Sequence, residues 1–402
     1  PPHQGDPDRP HRRRHPRISG FTTTGSSILS DVETLSRGTA FWRCFTHWIG
    51  GMGVLVFIMA VMPLSDSSSM HLMRAESPGP AVGKLVPKVK TTAMILYGIY
   101  VVFTVIEIIA LLIAGMPLFD SMTLTFGTVG TGGFGLLNSS IASYSTAVQI
   151  IITVFMIICS INFTVYYMFL IKRPKEALMC EEMRYYLLIV FGSALLIAFN
   201  IRASFASFGK AFQQAIFQVA SVISTTGFAT ADFNLWPEFS RMILVLLMFV
   251  GACAGSTGGG FKVSRLIIMV KSVRNEIMSV THPRSVQKVH MDGRRIPDNV
   301  VKTVLCYLAG YVVILIVSVL LISLDNFDMT TNFTAVMATF NNVGPGLNRV
   351  GPTGNFGGFS VLSKLVLMFD MLVGRLELYP MLVIFAPGLW RIHPHRHVGK
   401  VQ

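Results

Sequence analysis

The sequence predicts an all-α polytopic membrane protein built on a fourfold internal repeat, the first repeat incomplete. Three observations carry this. Of 402 residues, 52% are hydrophobic and only 13% charged, against about 25% charged in an ordinary soluble protein. Apolar windows fall at roughly 40–64, 92–115, 145–171, 184–200, 240–270, 301–324 and 359–388; several hold ~18 or more residues, enough to cross a ~30 Å hydrocarbon core as helix. Finally, a small uncharged Thr/Gly-rich phrase occurs four times: "GFTTTGS" (20–26), "GTVGTGGFG" (127–135), "ISTTGFAT" (223–230) and "FNNVGPGLN" (340–348).

The elements follow in order. Each of the last three phrases is preceded by about three turns of half-apolar helix, in "PLFDSMTLTFGTVGTGGFG", "FGKAFQQAIFQVASVISTTGF" and "DMTTNFTAVMATFNNVGPGL". Such segments are too short to span and suit a re-entrant helix. With Gly25, Gly133, Gly227 and Gly344 as anchors, the separations are 133 − 25 = 108, 227 − 133 = 94 and 344 − 227 = 117. Periods this long mean repeated subdomains rather than a solenoid. The first phrase lacks a leading helix and follows "PPHQGDPDRPHRRRHPR" (1–17), which reads either as foreign to the fold, through truncation or a frame error, or as a basic disordered arm.

Charge orients the repeat. Arg74, Lys84, Lys88 and Lys90 lie in one connection, Lys172, Arg173, Lys175 and Arg184 in the next, and nine Lys or Arg in 262–302, whereas 116–145 has none. Basic connections face the cytoplasm and the phrases open outside. This accounts for the net charge of +13 without nucleic acid as a partner. Cys44, Cys159, Cys180, Cys253 and Cys306 are scattered without CxxC pairing and read as small core residues.

An uncharged re-entrant loop still offers backbone carbonyls, which can replace the hydration shell of potassium. Glycine permits the required backbone angles, and threonine adds a hydroxyl and a stiff wall. Close helix packing would explain one such phrase; four in the same place within a repeat favour a pseudo-fourfold pore. "GACAGSTGGG" (251–260) interrupts the window 240–270. Contiguous glycines there suit a broken helix better than a spaced crossing site. Arg375 and Glu107 lie inside apolar runs; buried charge in a membrane is expensive and usually functional. Glu377 or Asp370 is expected to balance Arg375, unless Arg375 snorkels to an interface. "GTGGFG" and "GSTGGGFK" imitate nucleotide-binding loops, but the first lacks a βαβ context and the second a Lys-Ser/Thr after its last glycine.

The motifs "SGFTTTGSS", "HWIGGMGVLVF", "GTVGTGGFG", "STTGFAT", "GACAGSTGGGFKVSR", "FNNVGPGL" and "GRLELYPMLVIFAPGLWR" together resemble the pore-forming membrane subunits of bacterial Trk/Ktr-type potassium uptake systems, the Trk branch most closely. The resemblance covers about 18–392 and implies four repeats of membrane helix, pore helix, filter loop and membrane helix, a potassium-channel-like plan. It implies boundaries at 18–64 (filter and second helix only), 92–171, 184–272 and 299–392, with a cytoplasmic basic loop at 273–298 and a tail at 393–402. It assigns filter carbonyls to Thr22, Thr23, Thr24 and Gly25; Gly130, Thr131, Gly132 and Gly133; Ser224, Thr225, Thr226 and Gly227; and Asn341, Asn342, Val343 and Gly344. The filter glycine of the second phrase stays open between Gly132 and Gly133.

The same resemblance makes Gly255, Ser256, Thr257, Gly258, Gly259 and Gly260 an intramembrane gate loop, and Arg375 part of the pore barrier below the filter. It implies a bacterial inner-membrane protein that moves potassium without a covalent cofactor and is not an enzyme. It also implies a homodimer with a pore in each subunit and a cytoplasmic NAD- or ATP-responsive nucleotide-binding subunit acting on the gate loop. The alternative is sodium- or proton-coupled symport, which would favour inverted repeats and midplane charge. A membrane enzyme or scaffold would leave the four phrases unexplained.

Overall fold

The computed structural model describes residues 18–53, 89–282 and 287–384. The basic segment 1–17, the window end 54–64, Arg74, Lys84, Lys88 and Arg284, and the chain from 385 onward, including the tail 393–402, lie outside the described residues.

A helical turn at 18–21 leads through the first phrase to α1 (Arg37–Met52). Then come α2 (Val89–Ile113), α3 (Leu118–Val129), α4 (Thr146–Cys159), α5 (Phe163–Leu170) and α6 (Pro174–Leu178). They are followed by α7 (Glu181–Ile201), α8 (Phe208–Ile223), α9 (Glu238–Val250) and α10 (Val263–Thr281). A hairpin of β1 (His290–Met291) and β2 (Arg294–Arg295) precedes α11 (Asp298–Ile322), α12 (Met329–Phe340), α13 (Val361–Leu376) and α14 (Leu378–Ile384). In the hairpin His290 pairs antiparallel with Arg295, and Asp292 and Gly293 turn at φ 51° and 71°. α10 runs through 273–281, which the sequence assigns to a loop.

The order long helix, short helix, loop, second helix occurs three times in full: α2–α3–α4, α7–α8–α9 and α11–α12–α13. Among the described residues, Ala93–Ile113, Glu181–Ser204 and Asp298–Asp325 are single helices long and apolar enough to cross a membrane. The short helices have 12, 16 and 12 residues, below the ~20 a span needs. Polar side chains start two of them. Ser207 accepts from Lys210 N at 3.3 Å, and Asp328 from Thr331 N at 2.9 Å. Each caps an otherwise orphaned amide.

The short helices are buried by the longer ones. Ala211, Ala215 and Val219 of α8 pack with Tyr186, Val190 and Ala194 of α7, where small residues allow close approach. Phe126 of α3 sits against Phe45 and Trp48 of α1 at 5.5 and 5.9 Å between ring centroids. Cys44, Cys159 and Cys253 are core residues, whereas Cys306 is exposed.

Two windows read as continuous helices are broken. In 145–171, α4 and α5 meet at 88°. Asn162 makes the bend by capping α5, its Oδ1 accepting from Thr164 N at 2.9 Å. The freed backbone is paired elsewhere: Cys253 N donates to Ser160 O at 3.0 Å, and Phe163 N to Gly255 O at 3.0 Å. In 359–388, Glu377 separates α13 from α14 at φ 69°. That turn lets its carboxylate accept from Arg265 of α10, whose guanidinium lies 4.0 Å from the Tyr307 ring. α1 and α9 also end in positive-φ residues, Gly53 at 75° and Gly251 at 68°. The second helices of the last three units therefore break beyond their phrases, and α1 ends at Gly53. Asn162→Ala removes the cap at the α4–α5 bend. It should cost about 1 kcal/mol and lower the thermal midpoint of the detergent-solubilised protein by a few degrees.

Candidate functional site

The four phrases share one backbone geometry. The amides of Thr22, Gly130, Ser224 and Asn341 donate back to Ile18, Phe126, Ala220 and Met337. Those of Thr24, Gly132, Thr226 and Val343 donate to Ser19, Gly127, Ser221 and Ala338 at 2.8–2.9 Å. The N–H groups are thus satisfied within each short helix. The first phrase, which the sequence reads as lacking such a helix, is held by the turn at 18–21 in the same manner. The loop carbonyls remain available. Among the described residues only Gly130 O accepts a protein hydrogen bond, from Thr131 Oγ1 at 2.8 Å.

The sign of φ alternates along each loop. The second residues Thr23, Thr131, Thr225 and Asn342 have φ of 54°, 51°, 60° and 54°. The fourth residues Gly25, Gly133, Gly227 and Gly344 have 79°, 73°, 83° and 101°. Alternation turns successive carbonyls toward one side. It is costly for β-branched threonine, about 1–3 kcal/mol per residue, and such strain collects at functional sites. It also resolves the second phrase: Gly133, not Gly132, is the counterpart of the other three glycines.

The loops close on one another. A Cβ on Gly25 would stand 2.1 Å from Gly132 O, on Gly133 1.9 Å from Thr226 O, on Gly227 2.2 Å from Val343 O, and on Gly344 2.6 Å from Thr24 O. Each glycine thus abuts the third carbonyl of the next loop, and the fourth returns to the first. Side chains behind the ring brace it. Asn342 Nδ2 donates to Thr24 Oγ1 and to Met371 O, both at 2.9 Å. Thr22 and Thr24 hydroxyls meet at 2.8 Å, and those of Ser224 and Thr226 at 2.7 Å. His47 accepts from Phe134 N at 3.4 Å and stacks on the Phe134 ring. On one side the four glycines line a vestibule that also holds Arg43 and Asn138.

Residues 251–262, between α9 and α10, lie against the opposite side of this ring. A Cβ on Gly258 would be 2.8 Å from Ser224 O, and one on Gly259 2.7 Å from Asn341 O. Hydroxyls of the positive-φ threonines reach the loop: Thr131 Oγ1 donates to Thr257 O at 2.9 Å, and Gly259 N to Thr225 Oγ1 at 2.6 Å. The Thr257 hydroxyl donates to Cys159 O at 3.1 Å, and the buried Lys262 ammonium donates to Gly258 O. Ser256 Oγ turns back to Cys253 O at 2.6 Å, while Gly255 and Gly260 take φ of 68° and 82°.

Arg375 is buried beside this loop. It donates to Thr257 O at 2.9 Å, to Gly51 O at 2.7 Å and to Gly50 O. Neither carboxylate expected to balance it does so by a hydrogen bond: Glu377 accepts from Arg265, and Asp370 from Ser318 Oγ at 2.8 Å. Arg375 thus gathers backbone carbonyls from the end of α1 and from the 251–262 loop. His47, Asn162, Lys262 and Glu182 were not singled out by sequence. His47 stood inside the motif "HWIGG", and Lys262 read as part of the cytoplasmic basic stretch.

A family model described as a cation transport protein, TrkH, matches residues 9–392. The chain is 35% identical over 382 residues to the Trk system potassium uptake protein TrkH of Salmonella typhimurium, covering 93% of this chain and 78% of that protein. It is 31% identical over 378 residues to TrkG of Escherichia coli (strain K12), again covering 93% and 78%. The crystal structure of the potassium transporter TrkH from Vibrio parahaemolyticus superposes with a TM-score of 0.81 at 32% identity, over 93% of this chain and 77% of that one. Arg375→Ala leaves the carbonyls of Gly50, Gly51 and Thr257 without this donor. Amide exchange across 251–262 should then accelerate by about tenfold or more in hydrogen–deuterium exchange.

Proposed function

Because the chain belongs to the TrkH family of cation transport proteins, we propose that it takes up potassium across the bacterial inner membrane through the ring formed by its four phrases. The observation that carries this reading is the cyclic contact of each phrase glycine with the carbonyl of the next loop. Carbonyl dipoles from Thr22–Gly25, Gly130–Gly133, Ser224–Gly227 and Asn341–Gly344 replace the hydration shell of the ion. The C-termini of α3, α8 and α12 add partial negative charge at the ring. The membrane potential supplies ~2.3 kcal/mol per charge per 100 mV for inward movement. The potassium ion is the cargo, and no covalent chemistry is required.

Residues Gly255–Gly260 act as the gate, pressed against the inner edge of the filter, and Arg375 adds a positive barrier there. In this division the units are 18–64, 92–171, 184–272 and 299–392. The exposed Arg274, Arg294, Arg295 and Lys302 offer a basic cytoplasmic surface for a nucleotide-binding regulatory subunit, and the working form is a homodimer with one pore per subunit.

Two variants test the reading. Gly227→Ser forces a side chain onto Val343 O at φ 83°. In a potassium-transport-deficient bacterium it should abolish growth on low potassium, or leave uptake that no longer distinguishes potassium from sodium. Intact discrimination would refute the filter assignment. Deleting 255–260 should raise potassium flux in reconstituted liposomes, and unchanged flux would refute the gate.

A further inference from the structure

Glu182 is buried in the first turn of α7 and takes no part in the filter. Its Oε1 accepts from Ala254 N at 2.7 Å and from Ser264 N at 3.1 Å. These two amides stand on either side of Gly255–Gly260, one at the entry of the glycine loop and one in the first turn of α10. A single carboxylate oxygen therefore holds both feet of the loop. The arrangement also answers a local need. α10 begins without a side-chain cap of its own, Lys262 being at its N-cap position. A carboxylate at a helix N-terminus satisfies an orphaned amide and complements the dipole.

The residue before it faces the cytoplasmic hairpin. Glu181 N donates to Asp292 Oδ1 at 2.7 Å, and the Glu181 carboxylate pairs with Lys271 of α10. Lys271 in turn donates to His290 O at 2.7 Å. The β1–β2 turn, Lys271 and the loop feet thus converge on two consecutive residues of α7. We infer that Glu182 is a positioning residue that keeps the 255–260 loop against the filter, and that the 290–295 hairpin acts on the loop through this turn. A partner or modification that pulls the hairpin would shift the first turn of α7 and loosen both feet together. The inference rests on the gate reading of 255–260.

The test uses the full chain in liposomes, reading potassium flux and potassium/sodium discrimination separately. Glu182→Ala should raise flux by about tenfold with discrimination unchanged, since two charge-assisted hydrogen bonds are lost on the closed side only. Glu182→Gln, whose amide oxygen still accepts, should give a smaller rise. Asp292→Ala should also raise flux, and the Glu182→Ala/Asp292→Ala double variant should match Glu182→Ala alone, the non-additivity of residues acting in one network. Wild-type flux in Glu182→Ala, or loss of discrimination, overturns the positioning role, and full additivity overturns the route through the hairpin. If Glu182→Ala does not elute as a folded species, Glu182→Gln decides alone. Deletion of 255–260 run in parallel separates the failures. If the deletion raises flux and Glu182→Ala does not, only this inference falls; if neither does, the gate reading falls with it.

Discussion

The structure depends on the contact between each phrase glycine and the carbonyl of the neighbouring loop. At these four positions the approach leaves no room for a Cβ, and φ lies between 73° and 101°. Glycine meets both demands. With the glycines fixed, the alternation of φ along each loop follows, and with it the strain carried by Thr23, Thr131 and Thr225. Because the contact runs from the first loop to the second and onward until the fourth meets the first, no loop can relax alone. The ring is a collective object, and its backbone path is the same with different side chains at its corners. Asn342 and Val343 stand in one loop where Thr225 and Thr226 stand in another.

On the proposed reading the ring needs support because carbonyls that serve a cation are not available to pair with protein. The short helices supply it by accepting the loop amides, which leaves the loop carbonyls to the ring. Below the ring the same division is made differently. The second helices of the last three units break, and the carbonyls of Gly50, Gly51 and Thr257 are gathered by Arg375. Those at Cys159 and Ser160 are gathered by the glycine loop itself. Irregular backbone at membrane depth persists only where protein or a water-filled cavity satisfies it, and here each break satisfies another. On the proposed reading this makes the closed arrangement cooperative: the filter threonines, the loop and Arg375 form one hydrogen-bonded body.

Much of this was legible in the sequence. The short helices were marked by length and by the Thr/Gly phrase that ends each. The break after Val250 was marked by contiguous glycines that no helix would tolerate. What escaped depended on distant partners. The bend at 160–162 follows from Asn162 and from amides of a loop about ninety residues away, and in an apolar run it gave no periodic signal. The Arg265–Glu377 pair spans 112 residues, so no local pattern around either residue marks it. Glu182 follows Glu181 at a helix start, where first-turn charge is ordinary, yet its neighbour meets the β1–β2 hairpin while it turns inward.

The central claim is that the four loops form one cation site along a shared axis. Its most direct measurement is anomalous scattering from crystals of this protein grown in rubidium or thallium, ions that substitute for potassium. The account expects anomalous density on the axis between the carbonyls of the four loops, above Gly258 and Gly259 and below the vestibule. Density confined to carboxylates elsewhere, with none between the loops at saturating ion, would contradict it.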